Sequence, residues 1–478
     1  NGWGHYVSKD FVSWAELPLA IVNGVDRSTG KATPYDSFSI FTGGASVVDG
    51  AGPGGKGPGV VLIYPGICDK KHWPACNTSG QMSPQNGVLL AQAVPADYAG
   101  DVLLTNWTKP SYNPIIASSE RDPANPWRDA ATGEWRTITF DGKVYSSASD
   151  ATVRAGEWQL IGPSKYFNPG LQGSGPSLSG GLECPSVYPL PGPTPGFEKE
   201  FDAGKATFPT HVHKKGDGCS GPGQAGSKGG PESTGCDFWQ LGTYSVAATR
   251  QLGTFLPTKD WEDLFEYRLI ENSLSFYASK DGEFPTRDGG TRRVNWGAGE
   301  TIAPKNVHTV RTKHQHVNVP ANLRLTLVVW VQLPRTITFN PVARVLEQAP
   351  VEELQQLRGP AAVDRKRVQV PAGQPVDLSV DPKITAQSEV VVTFQLPKTA
   401  ANLSVRVGSL GGGSGHAGFP ETSFMPDVDL VWTQDQRCKA GKTDAQRCAE
   451  QCVERTKQNK DAPCIGWVIC EEQWVSLS

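Results

Sequence analysis

Phe238-Trp239-Gln240-Leu241-Gly242-Thr243-Tyr244 is a short, largely apolar and aromatic run, and its length and composition read as a β-strand. Similar runs recur at Val60–Tyr64, Trp135–Phe140, Thr207–Lys214 and Leu323–Leu333. Clusters of Gly, Pro, Asp and Ser separate nearly all of them, as turns separate strands. Long helical periodicity is absent up to about residue 340. An all-β chain of this kind is a sandwich, a barrel or a propeller, and a propeller leaves a central funnel on which residues of different blades converge. No segment repeats another in sequence, so periodicity alone does not choose among the three.

At 478 residues the chain is long enough for two or three domains, each with its own core. A formal net charge of −3 gives no electrostatic case for a nucleic-acid partner. Charged residues are only 19%, against 53 Gly and 38 Pro, the loop-rich mix of an all-β protein. The 14 Trp supply aromatic faces for core packing and for stacking on sugars. No stretch reads as a membrane span: Leu323–Leu333 alternates and contains Arg324, Thr326 and Gln332, as a strand does. Sequons stand at Asn77-Thr78-Ser79, Asn106-Trp107-Thr108 and Asn402-Leu403-Ser404. With ten cysteines they point to a secreted, extracellular or vacuolar protein.

Gly50–Pro58 is Gly-rich and reads as a mobile loop, and Gly216–Gly235 as a Gly/Pro/Ser insertion bracketed by Cys219 and Cys236. Disulfides Cys219–Cys236 and Cys68–Cys76 would close two loops, with unpaired thiols the alternative for each pair.

Two tripeptides carry the chemistry, Arg121-Asp122-Pro123 and Glu183-Cys184-Pro185. Carboxylates from separate strands gathered in one cleft are what glycosidic bond cleavage needs, one protonating the leaving oxygen and others supporting or attacking the cationic sugar centre. Alone, Arg-Asp-Pro also reads as a turn. Its company is more specific: Trp3-Gly4-His5-Tyr6-Val7-Ser8-Lys9-Asp10-Phe11-Val12-Ser13-Trp14 and Phe41-Thr42-Gly43-Gly44-Ala45 ahead, Phe238–Tyr244 and Ser275-Phe276-Tyr277-Ala278-Ser279 behind. Leu333-Pro334-Arg335, Pro350-Val351-Glu352-Glu353-Leu354 and Leu357-Arg358 follow.

This ordered set resembles glycoside hydrolase family 32, the invertases, fructan hydrolases and fructosyltransferases, across roughly the first three quarters of the chain. The resemblance implies a five-bladed β-propeller over residues 1–335 with the active site in its axial funnel. It also implies a linker with a short helix over 336–362, begun at Pro350 with Glu352 and Glu353 in its first turn. A short or incomplete β-sandwich over 363–433 and a Cys-rich α+β segment over 434–478 complete the expected order. By the same transfer Glu183 is the acid/base and Asp122 the stabiliser that bonds fructosyl hydroxyls. Arg121 holds the sugar and tunes the carboxylates, while Phe41 and Thr42 stand beside the bound sugar, Thr replacing the family's Ser. The implied substrate is sucrose or a fructan, attacked as a retaining β-fructosidase, with transfer to another sugar left open. No metal and no cofactor are implied.

Trp3, His5, Asp10 and Trp14 match a segment that mainly builds the first blade and are read as structural. Cys184 is expected as a buried thiol rather than half of a bridge, and Asp217 lies near a family position that bears on substrate choice. The family nucleophile, an Asp within Asn-Asp-Pro-Asn-Gly ahead of Trp-Gly-His, has no counterpart in residues 1–478, and Asp10 and Asp36 lie in no matching context. The expectation is a chain truncated at both ends, lacking the first strand of its first blade and inactive by itself.

At the other end Thr443-Asp444-Ala445-Gln446 forms a capping-box signature that places Cys448 and Cys452 on one helix face. With Cys438, Cys464 and Cys470 they resemble an apple/PAN adhesion module, which would take a carbohydrate or protein ligand. Zinc is the competing reading, against which stand the lack of nearby histidine and the spacing. Two rivals to the fructosidase reading remain: a catalytically dead sugar-binding or adhesion protein, and a five-bladed enzyme acting on arabinose- or xylose-containing polymers. The second leaves the Leu333–Arg358 motif unexplained.

Overall fold

The computed structural model describes residues 1–78, 84–163, 182–201, 208–219, 234–258, 276–302, 327–361 and 364–369, apart from a few single positions, with isolated short strands and single residues elsewhere. The first strands are β1 (His5–Ser8) and β2 (Trp14–Leu17), an antiparallel ribbon. Four larger antiparallel sheets follow in chain order. Sheet one holds β3 (Ser39–Ile40), β4 (Gly44–Asp49), β5 (Pro58–Asp69), β6 (Asn86–Pro95) and β7 (Trp107–Thr108). In sheet two stand β8 (Trp127–Arg128), β9 (Trp135–Ile138), β10 (Lys143–Ser147) and β11 (Gln159–Pro163). Sheet three contains β12 (Glu183–Pro189), β13 (His211–Cys219), β14 (Thr234–Ser245), β15 (Thr254–Pro257) and β16 (Arg268–Leu269). Sheet four contains β17 (Phe276–Pro285), β18 (Thr291–Ile302), β19 (Leu327–Val331), β20 (Arg335–Asn340) and β21 (Val345–Pro350).

The apolar runs are strands because both faces of each are covered. In β5, Leu62 and Tyr64 pack with Leu89, Ala91 and Trp107. Their alternates Val61 and Ile63 pack with Trp135, Tyr145 and Trp158 of the next sheet, as the two-residue period of a strand requires. Sheets two and three share Trp127, Ile138, Val144, Val187, Tyr244 and Phe255. Sheets three and four share Tyr188, Val212, Trp239, Leu241 and Phe339. Burying one such side chain contributes about 1.5–3 kcal/mol, so each sheet is held chiefly by its neighbours.

The β1–β2 ribbon touches both ends of this series. Trp3 lies edge-on to Tyr64 and donates its indole N–H to Phe41 O at 3.0 Å, while His5 meets Trp107. On the other side Phe11 packs on Phe284 and stacks on Trp296 of sheet four. The sheets thus follow one another around a propeller-like ring. Trp3, His5 and Asp10 are structural as read from sequence, Asp10 accepting the N–H groups of Val12 and Ser13. The Trp14 indole donates to Phe11 O.

Local sequence sets the connections. Asp141-Gly142 turns β9 into β10, with Gly142 at φ 78°, a left-handed conformation that glycine adopts without steric cost. Helix α1 (Asp150–Arg154) starts on a capping box between Ser149 and Thr152. Gly50–Pro58 forms the β4–β5 connection around a 3₁₀ turn at Pro53–Gly55. Cys68 and Cys76 form the expected disulfide.

Differences from the sequence reading are local. The helix expected from Pro350 is a 3₁₀ helix, Glu352–Leu357, because Pro350 still pairs with Arg335 as the last residue of β21. Residues 335–350 extend the fourth sheet, β20 pairing with β18. The ends of the expected Gly216–Gly235 insertion are strand, β13 continuing to Cys219 and β14 starting at Thr234. In register Cys219 faces Thr234, and Cys236 faces Asp217. The side chains of Cys219, Cys236 and Asp217 lie outside the described residues.

Beyond residue 390, β22 (Val392–Gln395) pairs with β25 (Trp474–Leu477), and β23 (Ala401–Val405) with β24 (Val428–Trp432). The rest of the expected sandwich and the cysteines of the 434–478 segment lie outside the described residues. No helix among the described residues is long and apolar enough to cross a membrane.

Candidate active site

Arg121-Asp122-Pro123 runs just ahead of β8 and is tied to β9 and its turn: Phe140 N–H donates to Arg121 O, and Ala124 N–H to Ile138 O. Glu183 opens β12, and the preceding Leu182 N–H donates to Phe140 O at 2.8 Å. One turn of sheet two therefore fixes both tripeptides, although Arg121 and Glu183 are 62 positions apart.

Side chains close the link. Arg121 Nη2 donates to Glu183 Oε1 at 3.0 Å and its Nε lies 3.6 Å from Asp122 Oδ2. The guanidinium lies over the Phe140 ring at 3.9 Å, so stacking as well as charge fixes the fork. Cys184 N–H donates to Asp122 Oδ2 at 3.4 Å. The Tyr277 hydroxyl, from β17 of sheet four, donates to Glu183 Oε2. Side-chain exposure is 27% for Glu183, 30% for Arg121 and 10% for Asp122. The cluster therefore opens to solvent on the Glu183 side and is closed beneath Asp122.

Burial raises the pKa of Asp122. Lys280, Arg121 and the Cys184 N–H oppose that rise, and the Glu183 charge adds to it. Lys280 is itself lowered by desolvation and its ammonium donates to Pro123 O at 3.3 Å. Beneath it Lys214 pairs with Asp237 at 3.2 Å and donates to Ser279 O and Oγ. Asp237 also accepts the N–H groups of Ala278 and Ser279.

Backbone strain gathers here. Asp122, Cys184 and Ala278 hold φ of 58°, 41° and 52°, conformations that cost side-chain-bearing residues of order 1–3 kcal/mol and persist where surrounding contacts enforce them. Such residues cluster at functional sites.

Of the residues singled out from sequence, Arg121, Asp122 and Glu183 are brought together. Phe41 and Thr42 lie between β3 and β4 of sheet one, and among the described residues no hydrogen bond joins them to that trio. It is strand β4, after them, that meets the segment following Asp122: a Cβ on Gly44 would come within 2.7 Å of Asn125 Cα, and Ser46 Oγ donates to Pro126 O at 2.7 Å. Cys184 is free and buried as expected, burial pushing its thiol up to about 11. Asp36 is engaged elsewhere, in a buried pair with Lys109 at 2.5 Å, bonded also to Tyr64 and Thr33. No group of three or more metal-ligating side chains occurs among the described residues.

Sequence reasoning quoted Ser275–Ser279 without giving Tyr277 or Lys280 a role. The only signal available was the pairing of a Tyr with a Lys three positions later, which a regular strand would send to opposite faces.

Residues 1–217 match the model of the glycosyl hydrolases family 32 N-terminal domain. Over that stretch the chain is similar to the glycosyl hydrolases of family 32. It is 25% identical over 411 residues to "Beta-fructofuranosidase, insoluble isoenzyme 1" of Daucus carota, covering 83% of the chain and 56% of that relative. It is 26% identical over 412 residues to "Sucrose:sucrose 1-fructosyltransferase" of Festuca arundinacea, covering 82% and 50%. Among solved structures, fructan 1-exohydrolase IIa from Cichorium intybus superposes with a TM-score of 0.45 at 19% identity, over 85% of this chain and 58% of that one. The chain spans about half the length of the curated relatives it matches.

Proposed function

We propose that this chain serves a retaining β-fructosidase reaction that cleaves terminal β-D-fructofuranosyl bonds of sucrose or fructans. The observation that carries it is the Arg121 fork, which joins Glu183 and Asp122 from separate sheets in one half-open cleft. Glu183, on the solvent side, protonates the leaving oxygen while a carboxylate nucleophile, which this reading requires and none of the residues assigned here supplies, takes the fructosyl group. Glu183 then activates water or an acceptor sugar hydroxyl to release it. Asp122, beneath it, bonds fructosyl hydroxyls and favours the cation-like transition state. Phe41 and Thr42 complete the sugar pocket from sheet one. The β1–β2 ribbon then occupies a fifth blade sector between sheets four and one, and the paired strands beyond residue 390 belong to a sandwich. An extracellular or vacuolar location accords with the "insoluble" naming of the carrot relative.

The test is release of fructose from sucrose and inulin by the chain carrying the family's Asn-Asp-Pro-Asn-Gly segment ahead of Asn1, taken as wild type, and by its Glu183→Gln variant. Release by wild type that the substitution leaves intact would remove Glu183 from the reaction.

One observation favours a second reading, a sugar-binding protein without turnover. Asp10 and Asp36 are both committed to other bonds, so neither is free to attack a sugar. Calorimetric binding of sucrose or a fructan with no fructose released would favour it over the enzyme.

A further inference from the structure

We infer that Tyr277 is a positioning residue for Glu183, delivered to it by a bulge in β17 and by the missing side chain of Gly216. The inference rests on the proposed role of Glu183 in the fructosidase reaction.

Three observations carry it. First, each Glu183 oxygen has its own donor, Arg121 Nη2 on Oε1 and the Tyr277 hydroxyl on Oε2. Two donors from two different sheets fix the carboxyl plane, whereas Arg121 alone would leave it free to turn about the other oxygen.

Second, β17 is built to make that contact. Tyr277 faces Ala298 and Lys280 faces Trp296, three steps on β17 against two on β18, which defines a bulge. Ala278 takes the irregular φ of 52°, and Asp237 holds the bulge by accepting the N–H groups of Ala278 and Ser279. In a regular strand Tyr277 and Lys280 would point to opposite faces. The extra residue sends Tyr277 to Glu183 and Lys280 to the carbonyl of Pro123, beside Asp122.

Third, Gly216 is the register partner of Glu183 on β13. A Cβ there would stand 3.0 Å from Tyr277 Cε2 and 3.3 Å from Glu183 O. The ring thus occupies space that any larger residue would contest. Desolvation and the Glu183 carboxylate push the Tyr277 phenol far above its ordinary range, so it remains a donor at every working pH.

The chemistry follows from how the bond holds the Glu183 carboxyl. Without the hydroxyl the carboxyl is free to turn about its remaining donor, Arg121. Expected for Tyr277→Phe is a kcat lowered about 10–10²-fold with KM little changed. Gly216→Ala, which keeps the hydroxyl but crowds the ring, is expected to lower kcat in the same way by less.

A turnover-independent arm uses ¹³Cζ-labelled tyrosine NMR, the Tyr277 signal being identified by its loss in Tyr277→Phe. In Glu183→Gln at pH 7, where an amide replaces the carboxylate as acceptor, the Tyr277 ¹³Cζ signal is expected to move from its wild-type position. An unchanged Tyr277 signal in Glu183→Gln overturns the inference whether or not fructose is released. So does a Tyr277→Phe enzyme whose kcat equals that of wild type. If wild type releases no fructose while the NMR coupling is present, the fructosidase reading fails and the Tyr277–Glu183 relationship stands.

Discussion

The backbone N–H of Cys184 donates to the carboxylate of Asp122 at 3.4 Å, so the strand that carries the acid/base candidate also steadies the second carboxylate. Each of these residues holds a left-handed φ, and each tripeptide leans on the other across a sheet boundary.

For Asp122→Asn, loss of turnover by about 10²–10³-fold with a smaller change in KM is expected, because bonds to the sugar hydroxyls strengthen as the ring becomes cationic. Steady-state kinetics on sucrose checks it. A defect confined to KM would make Asp122 a binding group only.

The same substitution has a stability consequence of known sign. Burial raises the carboxyl pKa of folded Asp122 above its unfolded value, so the folded state binds this proton more tightly. The group's contribution falls as pH rises from the ordinary carboxylate range through the raised value, and stays low above it. Asp122→Asn is therefore expected to raise Tm relative to wild type at pH 7 and to differ least near pH 3. Calorimetric melts across that range decide it, and a Tm lowered at pH 7 would contradict the sign.

Asp36 and Lys109 are almost wholly buried and 2.5 Å apart. Removing one partner strands the other without its counter-ion, at about 3–5 kcal/mol. Asp36→Ala is expected to lose that much in urea unfolding, while any soluble fraction keeps its activity per folded molecule. Loss of activity in a fully folded variant would bring Asp36 into the chemistry.

Cys184 is buried, with its thiol raised to about 11, and reactivity follows the thiolate. Peptide-resolved mass spectrometry after iodoacetamide treatment at pH 7.5 is expected to find it unmodified in the native protein and alkylated in urea. Native labelling at Cys184 would show that strand β12 opens.

The strand content was legible because local pattern sets it. Val60–Tyr64 and Phe238–Tyr244 are apolar over lengths that suit a strand covered on both faces. Arg121, Asp122 and Glu183 were legible through family motifs, and the Cys68–Cys76 bridge because a short loop brings its ends together cheaply. Pro350 was misjudged as a helix start because its partner in β20 is invisible in a local window.

What sequence by itself determined is thus the local vocabulary: strands, turns, and the three side chains proposed here as acid, second carboxylate and fork. Tertiary structure alone decided that Tyr277, on the fourth sheet, reaches Glu183 of the third, and that Lys280 reaches the Pro123 carbonyl beside Asp122. That outcome depends on a one-residue bulge and on a bare Gly216 in a different strand. The energy of each is repaid only by contacts between segments far apart in the chain, so no local pattern records it.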